Sequence, residues 1–175
     1  MKGYELAEKL SRYDKSIYKS LVGIFSINET PKDIKFHQWA ILNLSLTNEP
    51  GSHWIVSKWN IDQKNYRKKY YLLCFQAISN QGVNTIEVFD SLGLRKNKNL
   101  YKKYFKFDGI TINDYPVQKS TSNTCAKFVI YYICHRFYNE DLNFTTFMEN
   151  FFYQNNLQKN EEIVKEFVDS IWKCL

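Results

Sequence analysis

One stretch constrains the chain more than any other: Gln118-Lys-Ser-Thr-Ser-Asn-Thr-Cys-Ala-Lys-Phe-Val-Ile-Tyr-Tyr-Ile-Cys-His135. Its character changes at Cys125. Residues Lys119 to Thr124 are polar and turn-forming, whereas Phe128 to Cys134 are almost wholly apolar. That switch predicts a loop feeding a buried helix, with a thiol on the first helical turn. A thiol there feels the positive end of the helix dipole, which favours the thiolate.

The remaining elements follow from periodicity and turn chemistry. Leu6, Leu10, Tyr13, Ile17 and Leu21 recur at three- and four-residue steps, which predicts a helix over 4–22 ended by Gly23. Residues 24–36 read as irregular. Trp39 to Leu46 is a dense apolar run of strand length, closed by the turn Asn48-Glu-Pro-Gly-Ser52. His53 to Asn60 reads as a second strand, with His53, Ile55, Ser57 and Trp59 on one face. Tyr70 to Ile78 and Thr85 to Phe89 continue a meander, and 109–117 offers one more strand. Residues 94–106 suit a short helix, Cys125 to about Tyr138 a longer one, and 144–173 two helices broken near Asn155-Asn156. The expected fold is α+β: one domain over 1–175, a small mixed or antiparallel sheet packed against helices, and a buried central helix starting at Cys125.

Composition narrows the class. At 175 residues, the chain is long enough for a real core. No window approaches a membrane span, so no membrane is expected. The start, Met1-Lys-Gly-Tyr-Glu-Leu-Ala-Glu-Lys9, carries acids and no apolar centre, so it is not read as a signal peptide. Cysteines at 74, 125, 134 and 174 form no CxxC pair, and the histidines at 37, 53 and 135 have no metal-ligand spacing. No metal is expected. Cys74, Cys134 and Cys174 read as core thiols, and a reducing, intracellular compartment fits. The formal charge is +6, with lysines gathered at Lys64–Lys69 and at Arg95–Lys106. This is either a solvated surface or a face for nucleic acid or an acidic partner.

A cysteine nucleophile needs a base, a group to orient that base, and donors for the developing oxyanion. Candidates stand at element boundaries. His53 opens a strand, Asp90 closes a later one, Gln118 ends an extended stretch and Cys125 begins the helix. Singly, each has an ordinary reading: a structural His, a turn Asp, a surface Gln, a core thiol. Together, in the order His53, Asp90, Gln118, Cys125, they offer a candidate for each role that thiol catalysis needs. His53 and Asp90 share a sheet edge if an odd number of strand steps separates them, and their separation of 37 (90 minus 53) leaves room for an extra hairpin.

These pieces resemble the adenovirus protease (adenain) family and, more distantly, the SUMO proteases of the same clan. Gly51-Ser-His-Trp-Ile-Val-Ser-Lys-Trp-Asn60 is similar to the family's Gly-x-His-Trp segment. Val88-Phe-Asp-Ser-Leu-Gly93 is similar to its Phe-acid turn, and Gln118 to Cys125 to its Gln…Cys segment. Val22-Gly-Ile-Phe25 and Ala40-Ile-Leu-Asn43 add weaker matches, so the resemblance covers roughly 20–138.

The resemblance implies a papain-like cysteine protease fold and endopeptidase chemistry through an acyl-enzyme. In it Cys125 would be the nucleophile, His53 the base, Asp90 the orienter of His53, Gln118 the oxyanion donor and Trp54 a neighbour of the site. It implies protein substrates cut after small residues or Gly, namely viral or virus-like precursor polypeptides. It also implies a monomer that works in a virion or a host nucleus and needs no cofactor for its chemistry. DNA or a peptide would be an optional activator. Three departures stand out. Ala126 replaces the family's usual Gly, the His53–Asp90 interval is longer, and no cysteine lies between 75 and 124 to tether a peptide activator. The alternatives are a SUMO- or ubiquitin-like-protein-specific protease and a catalytically inactive homologue that binds DNA or virion components.

Overall fold

In a computed structural model, the described residues are 3–26, 29, 38–43, 54–60, 85–93 and 109–173; for 54–60, 85, 86, 109 and 110 the description is of the backbone alone. The expected strand at 70–78 and helix at 94–106, with Cys74, Cys174, His37 and His53, lie outside the described residues.

Among the described residues, five strands form one mixed sheet in the order β1-β2-β3-β4-β5: Leu21–Ser26, Trp39–Asn43, Trp54–Asn60, Thr85–Phe89 and Gly109–Ile112. The inner pairs, β2/β3 and β3/β4, are antiparallel, and the outer pairs, β1/β2 and β4/β5, are parallel. Of the two expected forms, mixed or antiparallel, the sheet takes the mixed one: the meander of antiparallel neighbours is confined to its centre, and both edge pairs are parallel. The segments 27–38 and 90–108 are long enough for the crossovers that parallel neighbours require, whereas a meander turn is not.

The first helix also differs from expectation. It splits into α1 (Gly3–Tyr13) and α2 (Lys15–Ser20). Asp14 takes an extended backbone and turns its carboxylate on the next helix, accepting the Ser16 N–H at 2.6 Å and the Ile17 N–H at 3.4 Å. An aspartate at that position satisfies orphan donors of a new helix instead of continuing the old one. Leu21 to Phe25 then leaves helical geometry to pair with β2. Gly23 does not end a helix; it sits in β1 where the register slips, and a Cβ there would come within 2.8 Å of the Phe25 ring.

The helix foreseen from Cys125 is α3 (Cys125–Phe137). It packs against β3, α1 and α2 and against the C-terminal helix. Phe128, Val129, Ile130, Tyr132, Ile133 and Cys134 are all buried, as befits a helix apolar on every side. The C-terminal region breaks as the turn signals indicate, into α4 (Phe144–Phe151) and α5 (Leu157–Lys173). Asn143 caps α4, accepting the Thr146 N–H at 2.9 Å, and Asn156 accepts the Lys159 N–H at 3.0 Å. No helix among the described residues is long and apolar enough to cross a membrane.

The core holds one polar cluster that periodicity did not reveal. Glu87 of β4 and Arg136 of α3 are both fully buried, joined by Nε–Oε1 and Nη2–Oε2 hydrogen bonds of 2.9 and 3.1 Å. The Tyr132 hydroxyl donates to Glu87 Oε1 as well, and the Tyr132 ring stacks on Phe89 at 4.3 Å. Strand β4 and helix α3 are thus joined by an ion pair and an aromatic stack.

His135 sits among the rings of Tyr131, Phe151 and Phe167, with centroids 4.3, 4.9 and 4.7 Å away. Burial pushes its pKa below the ordinary imidazole value. The unfolded chain therefore binds this proton more readily. Stability is full above about pH 6.5 and declines as the pH falls from there towards the folded-state pKa. Urea denaturation between about pH 7.5 and pH 5 should show the parent losing more stability than His135→Gln. Equal losses would assign the titration to other groups.

Candidate active site

Asp90 follows the last residue of β4, and Trp54 is the first residue of β3. The two strands are direct antiparallel neighbours, with Val56 opposite Phe89. The start of β3 and the end of β4 therefore lie at one edge of the sheet. No further strand stands between them, so the extra hairpin entertained from the sequence is not needed to bring these strand ends together. His53 itself lies outside the described residues.

Asp90 is buried, 1% exposed, in a tight turn. Its Oδ1 accepts the Leu92 N–H at 2.9 Å, and its carbonyl accepts the Gly93 N–H at 3.0 Å. Asn113, just past β5, holds it from the other side: the Asp90 N–H donates to Asn113 Oδ1 at 2.9 Å and Asn113 Nδ2 donates back to the Asp90 carbonyl at 2.6 Å. Gly93 closes the turn with φ +68°, and a Cβ there would stand 2.5 Å from the Pro116 nitrogen. Gly93→Ala should therefore lose about 1–3 kcal/mol from backbone strain, with more from the clash, read as a lower urea midpoint. An unchanged midpoint would mean that this turn relaxes freely.

Ser91 joins the aspartate turn to the Gln118 loop. Its carbonyl accepts both the Val117 and the Gln118 N–H at 2.9 Å, and its buried hydroxyl donates to Gln118 Oε1 at 2.6 Å. Gln118, 1% exposed, donates through Nε2 to the Ser122 carbonyl at 2.9 Å. The Ser122 carbonyl can only accept, so the amide has one orientation, with its NH2 directed at the loop that leads into Cys125. One Nε2 hydrogen is committed to Ser122. A second remains.

Cys125 is the first residue of α3 and is 9% exposed. Thr124 is its N-cap, but the threonine side chain makes no cap hydrogen bond. Ala126, where the resemblance has Gly, is buried in the first helical turn without any positive φ. Alanine therefore meets no backbone strain at this position.

No protein-family model matches the chain, and no curated protein is significantly similar to it. The resemblance to the adenain family is carried by the residues alone.

Among the described site residues, Asp90 and Gln118 belong to one assembly, hydrogen-bonded from Asn113 to Asp90 and, through the adjoining Ser91, to Gln118 and Ser122; Ser122 in turn contacts Thr124, the residue before Cys125. A buried amide held beside a helix N-terminus is a donor set suited to a developing negative oxygen. At Cys134, the other buried thiol among the described residues, burial pushes the pKa well above the ordinary thiol value, which disfavours the reactive thiolate. Three participants were invisible in the sequence. Ser91 and Asn113 looked like ordinary turn residues, and Glu161 of α5, which accepts hydrogen bonds from Lys119, Ser122 and Thr124, lies 36 residues beyond Cys125 (161 minus 125) with no local motif. The neighbouring pair Asp90-Ser91 was the one available signal, because two polar residues closing an apolar strand commonly serve a site.

Proposed function

We propose that the chain is an adenain-like cysteine endopeptidase with a papain-like fold. The observation that carries this reading is the single orientation of the Gln118 amide, fixed between Ser91 and the Ser122 carbonyl in the loop that ends at Cys125. Glutamine is mostly an exposed residue, whereas this one is buried and hydrogen-bonded at both ends of its amide.

In the proposed mechanism His53 takes the Cys125 proton, and Asp90 orients and stabilises the resulting imidazolium. The sulfur attacks the scissile carbonyl carbon, and the carbonyl π pair moves onto oxygen. Gln118 Nε2–H and the backbone N–H of Cys125 receive that oxyanion. Collapse breaks the C–N bond, and the amine leaves with the proton from His53. Water, deprotonated by His53, then hydrolyses the thioester and restores the thiol. No cofactor enters these steps. The substrates are viral or virus-like precursor polypeptides cut after small residues, in a virion or a host nucleus.

The test is labelling with a peptidyl vinyl sulfone ending in Gly, followed by peptide mapping. The expected adduct is on Cys125 alone and is slowed in His53→Ala. Slow, equal modification of all cysteines would contradict the reading.

A further inference from the structure

We propose that Glu161, on the C-terminal helix α5, is the positioning residue that sets the loop between Gln118 and Cys125, and so holds oxyanion donor and nucleophile in one geometry. This rests on the peptidase reading above. The Glu161 carboxylate receives three donors from that loop. Oε1 accepts the Lys119 N–H at 3.3 Å, and Oε2 accepts the Ser122 hydroxyl at 3.0 Å and the Thr124 hydroxyl at 2.6 Å. One carboxylate thereby gathers the residue just after Gln118, the middle of the loop, and the residue just before Cys125.

Three further observations point the same way. Ser122 is bonded twice over: its side chain goes to Glu161, while its carbonyl accepts the Gln118 amide. Moving Ser122 moves the oxyanion donor. Thr124, the N-cap of α3, makes no side-chain cap bond; its hydroxyl donates to Glu161 and lies 2.6 Å from the Ser122 hydroxyl. An N-cap hydroxyl ordinarily occupies a first-turn N–H. The preceding residue, Asn160, anchors the start of α5: buried, it donates to the Val117 and Tyr153 carbonyls at 3.0 and 2.9 Å and accepts the Tyr153 N–H at 2.8 Å.

A carboxylate can accept all three donors at once. In Glu161→Gln the amide oxygen can keep the Lys119 N–H, which can only donate, while the Ser122 and Thr124 hydroxyls turn to accept from the NH2. In Glu161→Ala nothing remains. Asp169→Ala provides the comparison, because Asp169 ties α5 to α3 through Lys127 at 2.7 Å without touching the loop.

The experiment measures kcat, KM and thermal midpoint for the three variants on a peptide cut by the parent. Glu161→Ala should lower kcat about 10- to 100-fold with KM nearly unchanged, the size of effect expected from a misplaced reacting group. Glu161→Gln should recover most of that loss. Asp169→Ala should lower the thermal midpoint and keep kcat. The inference is overturned if Glu161→Ala keeps the parent kcat per folded molecule, or if Asp169→Ala loses as much kcat as Glu161→Ala. A parent that shows neither turnover nor selective labelling at Cys125 overturns the peptidase reading itself, and this inference with it.

Discussion

Arg136→Met should lose about 3–5 kcal/mol of folding stability, enough to unfold much of a domain whose total is about 5–15 kcal/mol. The substitution leaves the Glu87 carboxylate in a fully buried site with its cationic partner gone. Tyr132 still donates to Glu87, but one neutral hydroxyl does not replace a guanidinium bonded to both oxygens. Arg136 also donates to the Asn139 carbonyl, which loses that donor. The attraction between the two charges does not by itself make the pair stabilising, because both had to leave water. Glu87→Leu combined with Arg136→Met should therefore lose much less than the sum of the single changes. Urea titrations of the two single variants and the double variant check this. A loss below about 1 kcal/mol in Arg136→Met would show that water or another group compensates Glu87. The consequence reaches the candidate site, since this pair fixes the strand that ends at Asp90 to the helix that begins at Cys125.

Cys125→Ala should abolish peptide turnover, by about 10⁴-fold or more, because the proposed acyl-enzyme forms on its sulfur. The fold should survive, since replacing SH by H on a small, nearly buried side chain removes little volume. Gln118→Ala should fall between parent and Cys125→Ala. It keeps the proposed nucleophile and loses the proposed oxyanion donor, a loss of about 10²- to 10³-fold in kcat. It also leaves the Ser91 hydroxyl and the Ser122 carbonyl without their partner, so its thermal midpoint should drop, which Cys125→Ala should not show. Steady-state kinetics on one peptide, with circular dichroism on each variant, separates these outcomes. Parent-like turnover by Cys125→Ala would locate the chemistry elsewhere.

Much of the fold was legible because the signals were local. The apolar run after Cys125 gave α3 its start to the residue, and the Asn155-Asn156 turn gave the break between α4 and α5. What stayed hidden depended on partners distant in the chain. Glu87 alternates with Ile86 and Val88 and so looks like a solvent-facing strand residue; it is buried because Arg136, 49 residues later, comes to meet it. The break at Asp14 was masked by an apolar periodicity that runs through it, since Leu6, Leu10 and Ile17 are all buried although two helices carry them. Parallel pairing at the sheet edges is set by crossovers, and strand composition does not encode it. At the site, Asp90, Gln118 and Cys125 were found as residues able to do chemistry. Ser91, Asn113 and Glu161 do no chemistry of their own; they are legible only from the hydrogen bonds they make.

The central claim is that Cys125 is held as a thiolate beside an imidazolium, and the pH dependence of its alkylation tests this most directly. Iodoacetamide rates at Cys125 would be followed by peptide mapping from about pH 5 to pH 9 in the parent and in His53→Ala. The expected parent profile stays fast well below the ordinary thiol pKa of about 8.5, as for an activated cysteine, and His53→Ala shifts the inflection up towards that value. Cys134 should stay unreactive throughout in the folded protein. A parent profile that rises only near pH 8.5 and is unaffected by His53→Ala would contradict the assignment of Cys125 as a catalytic nucleophile.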